Sequence, residues 1–161
     1  MPAPLMFVGE VPGDQEDKAG HPFVGPAGRL LDRAFADAGI ERESVYLTNA
    51  VKHFKWRPAG KVRVHQKPNA AETAACAVWW QAELEVVAPR IVCCLGATAA
   101  QAILGKDFRV TRRRGEFLPL PSGAEATATI HPSAVLRARD RDEMFAGLVH
   151  DLQVVAKRLD G

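Results

Sequence analysis

Four short runs of apolar, β-forming residues stand out along the chain: Leu5–Val8, Val45–Val51, Arg90–Leu95 and Ala126–Ile130. Their near-continuous hydrophobicity suits strands buried on both faces of a parallel sheet. Between them the period changes to three and four. Gly28–Ala38 carries Leu30, Leu31, Ala34, Phe35 and Ala38 on one stripe, and Ala70–Val87 carries Ala74, Val78, Gln81, Leu84 and Val87 or their neighbours at three-four spacing. Thr98–Leu104 reads as a short helix. Asp142–Leu159 reads as a closing helix with Met144, Leu148, Leu152 and Val155 inward. Strands alternating with helices predict a three-layer α/β/α sandwich around a four-stranded, mainly parallel sheet. In such folds ligands bind at the carboxyl ends of the strands. Four segments follow the predicted strands there: Gly9–Gly28, Asn49–Pro68, Gly96-Ala97-Thr98 and His131-Pro132-Ser133.

Composition narrows the class. At 161 residues the chain suits one domain spanning 1–161. With 47% apolar, 25% charged and 7% aromatic residues it is neither disordered, collagen-like nor a coiled coil. No apolar run approaches the roughly 18 residues of a membrane span, and the N-terminus has no basic region of a secretory signal. Three cysteines, with Cys93 and Cys94 adjacent, make no disulfide framework. A reducing bacterial cytoplasm is the expected setting.

The net charge of +2 matters less than its distribution. Lys52, Lys55, Arg57, Lys61, Arg63 and Lys67 share a stretch with no acidic residue. Lys106, Arg109, Arg112, Arg113 and Arg114 make a second basic knot. Both are expected to meet the phosphates of a polyanion; a solvated loop is the other reading.

Each strand-end segment admits chemistry and a plainer account. After the first strand come Gly9, Glu10, Val11 and Asp14. A carboxylate there could steady a developing cation or orient a water, and Phe23 could stack on a base. The plainer account is a polar loop with Phe23 in the core. No Walker A or GxGxxG pattern is present. Asn49 offers donor and acceptor together, enough to read a pyrimidine edge, or it simply ends a strand. His65 lies in a basic loop as a nucleophile or base, or as an isolated histidine. His131, with Ser133 and Arg137 behind it, faces a cleft or starts a helix.

Taken together these segments resemble the uracil-DNA glycosylase superfamily from Phe7 to Leu152. The match rests on Gly9-Glu10-x-Pro-Gly-Asp14, Pro22-Phe23-Val24-Gly25-Pro26-Ala27-Gly28-Arg29-Leu30-Leu31-Asp32, Thr48-Asn49-Ala50-Val51-Lys52-His53-Phe54, Leu95-Gly96-Ala97-Thr98-Ala99-Ala100 and His131-Pro132-Ser133. The loop Lys61-Val62-Arg63-Val64-His65 is similar to the insertion of the iron–sulfur, family-4-like UdgX branch, usually Lys-Arg-Arg-Ile-His.

The resemblance implies a glycosylase that breaks the bond between N1 of uracil and C1′ of its sugar in a flipped nucleotide. It implies catalytic roles for Glu10, Asp14 and His131, and a uracil pocket of Gly9, Val11, Phe23 and Asn49. It implies DNA contacts from Lys61, Arg63, Lys67, Ser133 and Arg137. In the UdgX branch a loop histidine, matched here by His65, captures C1′ as a covalent adduct. Single-stranded DNA is the expected substrate, with no membrane partner, a monomeric enzyme and the nucleoid as its workplace.

The alternatives are a turning-over glycosylase that releases an abasic site, a non-catalytic DNA-binding relative and a nucleotide-binding α/β domain. The branch also carries a [4Fe-4S] cluster. Two of its ligands come from an N-terminal Cys-x-x-Cys that does not precede the first strand here. His53 and Cys76 match the other two positions and alone cannot hold a cluster. A chain without the cluster is expected, with Cys93 and Cys94 as core residues.

Overall fold

The structure is a computed structural model that describes residues 3–10, 24–50, 69, 71–72 and 76–161, and the backbone of 56–59 and 62–65. Its strands are β1 (Leu5–Gly9), β2 (Val45–Asn49), β3 (Trp56–Ala59), β4 (Val62–His65), β5 (Ile91–Leu95), β6 (Leu118–Pro119) and β7 (Glu125–Thr129). Its helices are α1 (Pro26–Ala38), α2 (Ala77–Val87), α3 (Ala97–Leu104), α4 (Val110–Arg113), α5 (Pro132–Arg137) and α6 (Arg141–Asp160). A 3₁₀ turn at Arg42–Ser44 leads into β2. Among the described residues no helix is long and apolar enough to cross a membrane.

The main sheet has the order β2-β1-β5-β7-β6. The first four strands run parallel, as the unbroken apolar sequences of β1 and β5 predict. The expected four-stranded sheet is thereby corrected to five. β6 adds an antiparallel edge along β7, pairing Leu118 with Ala126 and Pro119 with Glu125. Two residues carry too short a pattern to read as a strand, and Pro119 fits an edge because it has no N–H to donate. β3 and β4 form a separate antiparallel hairpin, Trp56 opposite His65, inside what the sequence presents as one basic loop.

Alternation divides the strand residues between two cores. Leu5, Phe7, Cys93 and Leu95 pack on one face with Leu30, Leu31, Phe35, Leu148 and Leu152 of α1 and α6. Met6, Val8, Cys94, Ala126 and Ala128 pack on the other face with Ala99 and Ala100 of α3. Phe7 and Phe35 meet at 4.9 Å between ring centroids, so α1 is fixed across β1 by an aromatic pair.

Local signals set the helix limits. Pro26 opens α1. Gly39, at φ 77°, closes it, its N–H bonding the Ala36 carbonyl while the Ile40 N–H bonds that of Phe35. α6 has Asp142 and Glu143 in its first turn and Lys157 and Arg158 in its last, which complements the helix dipole. Of the helix expected over Ala70–Val87, residues 71–72 are helical and α2 runs over Ala77–Val87.

Candidate active site

Parallel strands bring their carboxyl ends to one edge, and the candidate residues meet there. β1 ends at Gly9, followed by Glu10. β2 ends at Asn49 in register with Gly9, and the Ala50 N–H bonds the Gly9 carbonyl at 2.8 Å. Asn49 is 8% exposed. β5 ends at Leu95, opposite Thr129 of β7, and the Gly96 N–H bonds the Thr129 carbonyl at 2.9 Å. Two residues beyond Thr129 stands His131.

Gly96 joins these ends. Its φ of 94° lies where side chains are strained. A Cβ built there would lie 2.3 Å from Glu10 Oε1 and 3.1 Å from His131 Cβ. The missing side chain is the space in which the Glu10 carboxylate and His131 approach one another. The Gly96-Ala97-Thr98 segment stands out in the sequence; the part Gly96 plays in it is visible only in three dimensions.

The His131 ring is oriented by the helix that it caps. Its Nδ1 accepts from the Ser133 backbone N–H at 3.0 Å and lies 2.8 Å from Ser133 Oγ. A backbone N–H only donates, so Nδ1 is unprotonated and the neutral ring carries its proton on Nε2. His131 is therefore poised as a hydrogen-bond donor through Nε2. Ser133, expected at DNA, is seen to hold the histidine.

The strand under Asn49 is anchored in the same way. Thr48 Oγ1 donates to Glu83 Oε1 at 3.0 Å, and Tyr46 Oη donates to Glu83 Oε2 at 2.6 Å. Burial, then the bond to Glu83, pushes the Tyr46 phenol up to about 12. Tyr46 is therefore a neutral donor at every physiological pH.

The remaining expected residues divide. His65 and Arg63 stand in β4, His65 at its end. Arg137 is exposed in the last turn of α5. Val11, Asp14, Phe23, His53, Lys61 and Lys67 lie outside the described residues.

The second basic knot is corrected in part. Arg114 does not reach for phosphate: its Nε and Nη2 hold Asp151 Oδ2 at 2.8 and 2.7 Å. Arg113 pairs with Glu116 and lies over the Phe108 ring. A nearby carboxylate or ring face claims a guanidinium before a distant polyanion does. Arg109 and Arg112 stay exposed.

Asp151 itself escaped the sequence reading. Its signal was present, a carboxylate inside the apolar stripe of Leu148, Leu152 and Val155. Such a residue is buried only with a partner.

An iron–sulfur cluster takes four ligands, mostly cysteine thiolates. Cys76 is half-buried at the start of α2. Cys93 and Cys94 are sealed in β5 on opposite faces. Burial holds both thiols protonated, Cys94 at about 12 and Cys93 well above its ordinary value. Among the described residues no three His, Cys, Asp or Glu side chains gather as a metal site. The described residues do not fit the cluster.

The sequence is similar to proteins of one superfamily. The model of the uracil DNA glycosylase superfamily matches residues 2–153. A type-4 uracil-DNA glycosylase of Thermotoga maritima is 40% identical over 139 residues, covering 86% of this chain and 69% of that protein. One from Archaeoglobus fulgidus is 36% identical over 149 residues, covering 88% and 71%. A type-5 uracil-DNA glycosylase of Thermus thermophilus is 29% identical over 181 aligned positions, covering 99% and 77%. With the superfamily's model spanning nearly the whole chain and relatives at 40% and 36% identity covered beyond two thirds, the chain belongs to the uracil DNA glycosylase superfamily.

Proposed function

We propose that this chain excises uracil from DNA and then captures the sugar through His65. The observation that carries excision is the meeting of Glu10 and His131 across Gly96, beside the buried Asn49. The names of the type-4 relatives support the same reading. Capture is supported by Lys61, Arg63 and His65, which stand as in the UdgX branch.

Chemistry follows from the groups present. A flipped uracil stacks on Phe23, beside Gly9 and Val11, and Asn49 bonds its polar edge. Extrusion costs a few kcal/mol from a duplex and least from a single strand, so single-stranded DNA is the preferred substrate of the monomeric enzyme. As the N1–C1′ bond breaks, its electron pair leaves with the base. The Nε2–H of His131 donates to O2, where the charge collects, while the Glu10 carboxylate, with Asp14, steadies the cation forming at C1′. The lone pair of a His65 ring nitrogen then bonds C1′, and the ring gives up its proton to solvent. A tethered imidazole outcompetes water because its effective concentration is very high. Lys61, Lys67 and Arg137 hold the phosphates, so binding weakens as salt rises.

The test is a uracil-containing single strand followed for free base and, on a denaturing gel, for a retarded protein–DNA band. Both are expected, and His65→Gly should abolish the band while keeping base release. Free base without a band rejects capture alone. Intact strands after prolonged exposure to folded protein reject excision.

A further inference from the structure

We propose that Asp151, acting through Thr129, is a positioning residue for His131; the proposal rests on the excision reading above. Asp151 is 9% exposed in the apolar stripe of α6. Its Oδ2 accepts hydrogen bonds from Thr129 Oγ1 at 2.5 Å and Arg114 Nε at 2.8 Å, and Arg114 Nη2 completes the ion pair at 2.7 Å. A carboxylate with so little water must have its charge answered, and Arg114 answers it. The threonine hydroxyl is an addition to that pair.

Its location gives the addition a purpose. Thr129 is the last residue of β7, and the chain leaves the sheet immediately after it to reach His131 at the start of α5. The Thr129 side chain is held from α6, and its carbonyl is held by the Gly96 N–H at 2.9 Å. Gly96 is the residue on which the Glu10 carboxylate packs. One residue thus ties the long helix, the histidine turn and the neighbouring strand end into a single support. Arg114 joins the same strand, since the adjoining Gly115 N–H bonds the Ala128 carbonyl at 3.2 Å. The support fixes the distance between the group that answers charge at C1′ and the group that answers charge on the base.

Thr127 supplies the comparison. It lies two residues earlier in β7, hence on the same face, and it is as buried as Thr129. Its Oγ1 has no hydrogen-bond partner among the described residues. The same side chain in the same strand is bonded only where the strand turns toward His131.

The experiment compares Thr129→Val, Thr129→Ser and Thr127→Val in the full chain. It reads the single-turnover rate of uracil release from a single strand at saturating enzyme and the enzyme concentration that half-saturates it, the ¹⁵N spectrum of the His131 ring, and Tm. Thr129→Val is expected to lower the saturating single-turnover rate about tenfold with the half-saturating concentration within twofold, since misplaced reacting groups lose rate rather than affinity. Its ring spectrum should move from one Nε2–H tautomer toward the mixture of a free imidazole. Thr129→Ser should restore both readouts, and Thr127→Val should match the wild type in both. The proposal is overturned if Thr129→Val keeps the wild-type single-turnover rate and ring spectrum. It is equally overturned if Thr127→Val loses as much as Thr129→Val, because the effect is then one of core volume. Should the wild type release no uracil, the excision reading fails, and the ring spectrum by itself decides whether Thr129 positions His131.

Discussion

Replacing Gly96 by alanine adds one methyl group at the point where three strand ends meet. The methyl would stand 2.3 Å from Glu10 Oε1 and 3.1 Å from His131 Cβ. Ordinary contact begins near 3.4 Å, so the carboxylate must retreat by about 1 Å while the less yielding His131 Cβ shifts by a few tenths. The backbone is strained as well, at φ 94° and ψ 170°, in a region essentially reserved for glycine; that costs about 1–3 kcal/mol. For a chain of this size Tm should fall by about 2–4 °C for each kcal/mol. A displacement of about 1 Å in a reacting group costs ~100-fold in rate. Gly39→Ala separates the two effects. Gly39 also has a positive φ, 77°, but nothing lies within 4 Å of its Cβ position, so that variant should lose stability and keep its rate. The assay is single-turnover release of uracil from a labelled single strand, with thermal unfolding of both variants alongside. A Gly96→Ala protein that cuts at the wild-type rate would refute the reasoning, for it would mean that the Glu10 carboxylate does not work from where it packs.

Other outcomes follow from the buried thiols. In native protein a thiol reagent should modify Cys76 and spare Cys93 and Cys94, whereas in guanidinium all three should react; three reactive thiols in the native state would contradict the sealed β5. Stability should also fall at alkaline pH. Folding raises the pKa of Cys94 from 9.0 to about 12, so its contribution is complete below pH 9 and is lost as pH rises through 9–12, by about 1.4 kcal/mol per unit. Cys93 acts in the same direction. Urea unfolding at pH 8 and pH 10.5 checks this, and equal midpoints would count against it. Phe35→Ala should cost about 3–5 kcal/mol by chemical denaturation, since it opens a cavity against Phe7 and removes their ring contact.

Periodicity and β-propensity along the chain were enough to determine the α/β class, the four long strands and the carboxyl edge at which Glu10, Asn49 and His131 stand. Strands buried on both faces and helices with one apolar stripe are written locally. Glu10, Asn49 and His131 were legible for the same reason, as polar residues standing where apolar runs stop. Only the tertiary structure decided what those residues do to one another. The edge strand Leu118–Pro119 exists because β7 offers it a partner, and two residues cannot announce that alone. Arg114 read as a surface cation until Asp151, 37 positions away, turned out to hold it. Gly96 matters through the 2.3 Å that separates its absent side chain from a carboxylate 86 positions earlier. Local pattern is set by each residue's own solvation and backbone preference; approach between distant residues is set by how the sheet and helices pack, and no window of sequence contains it.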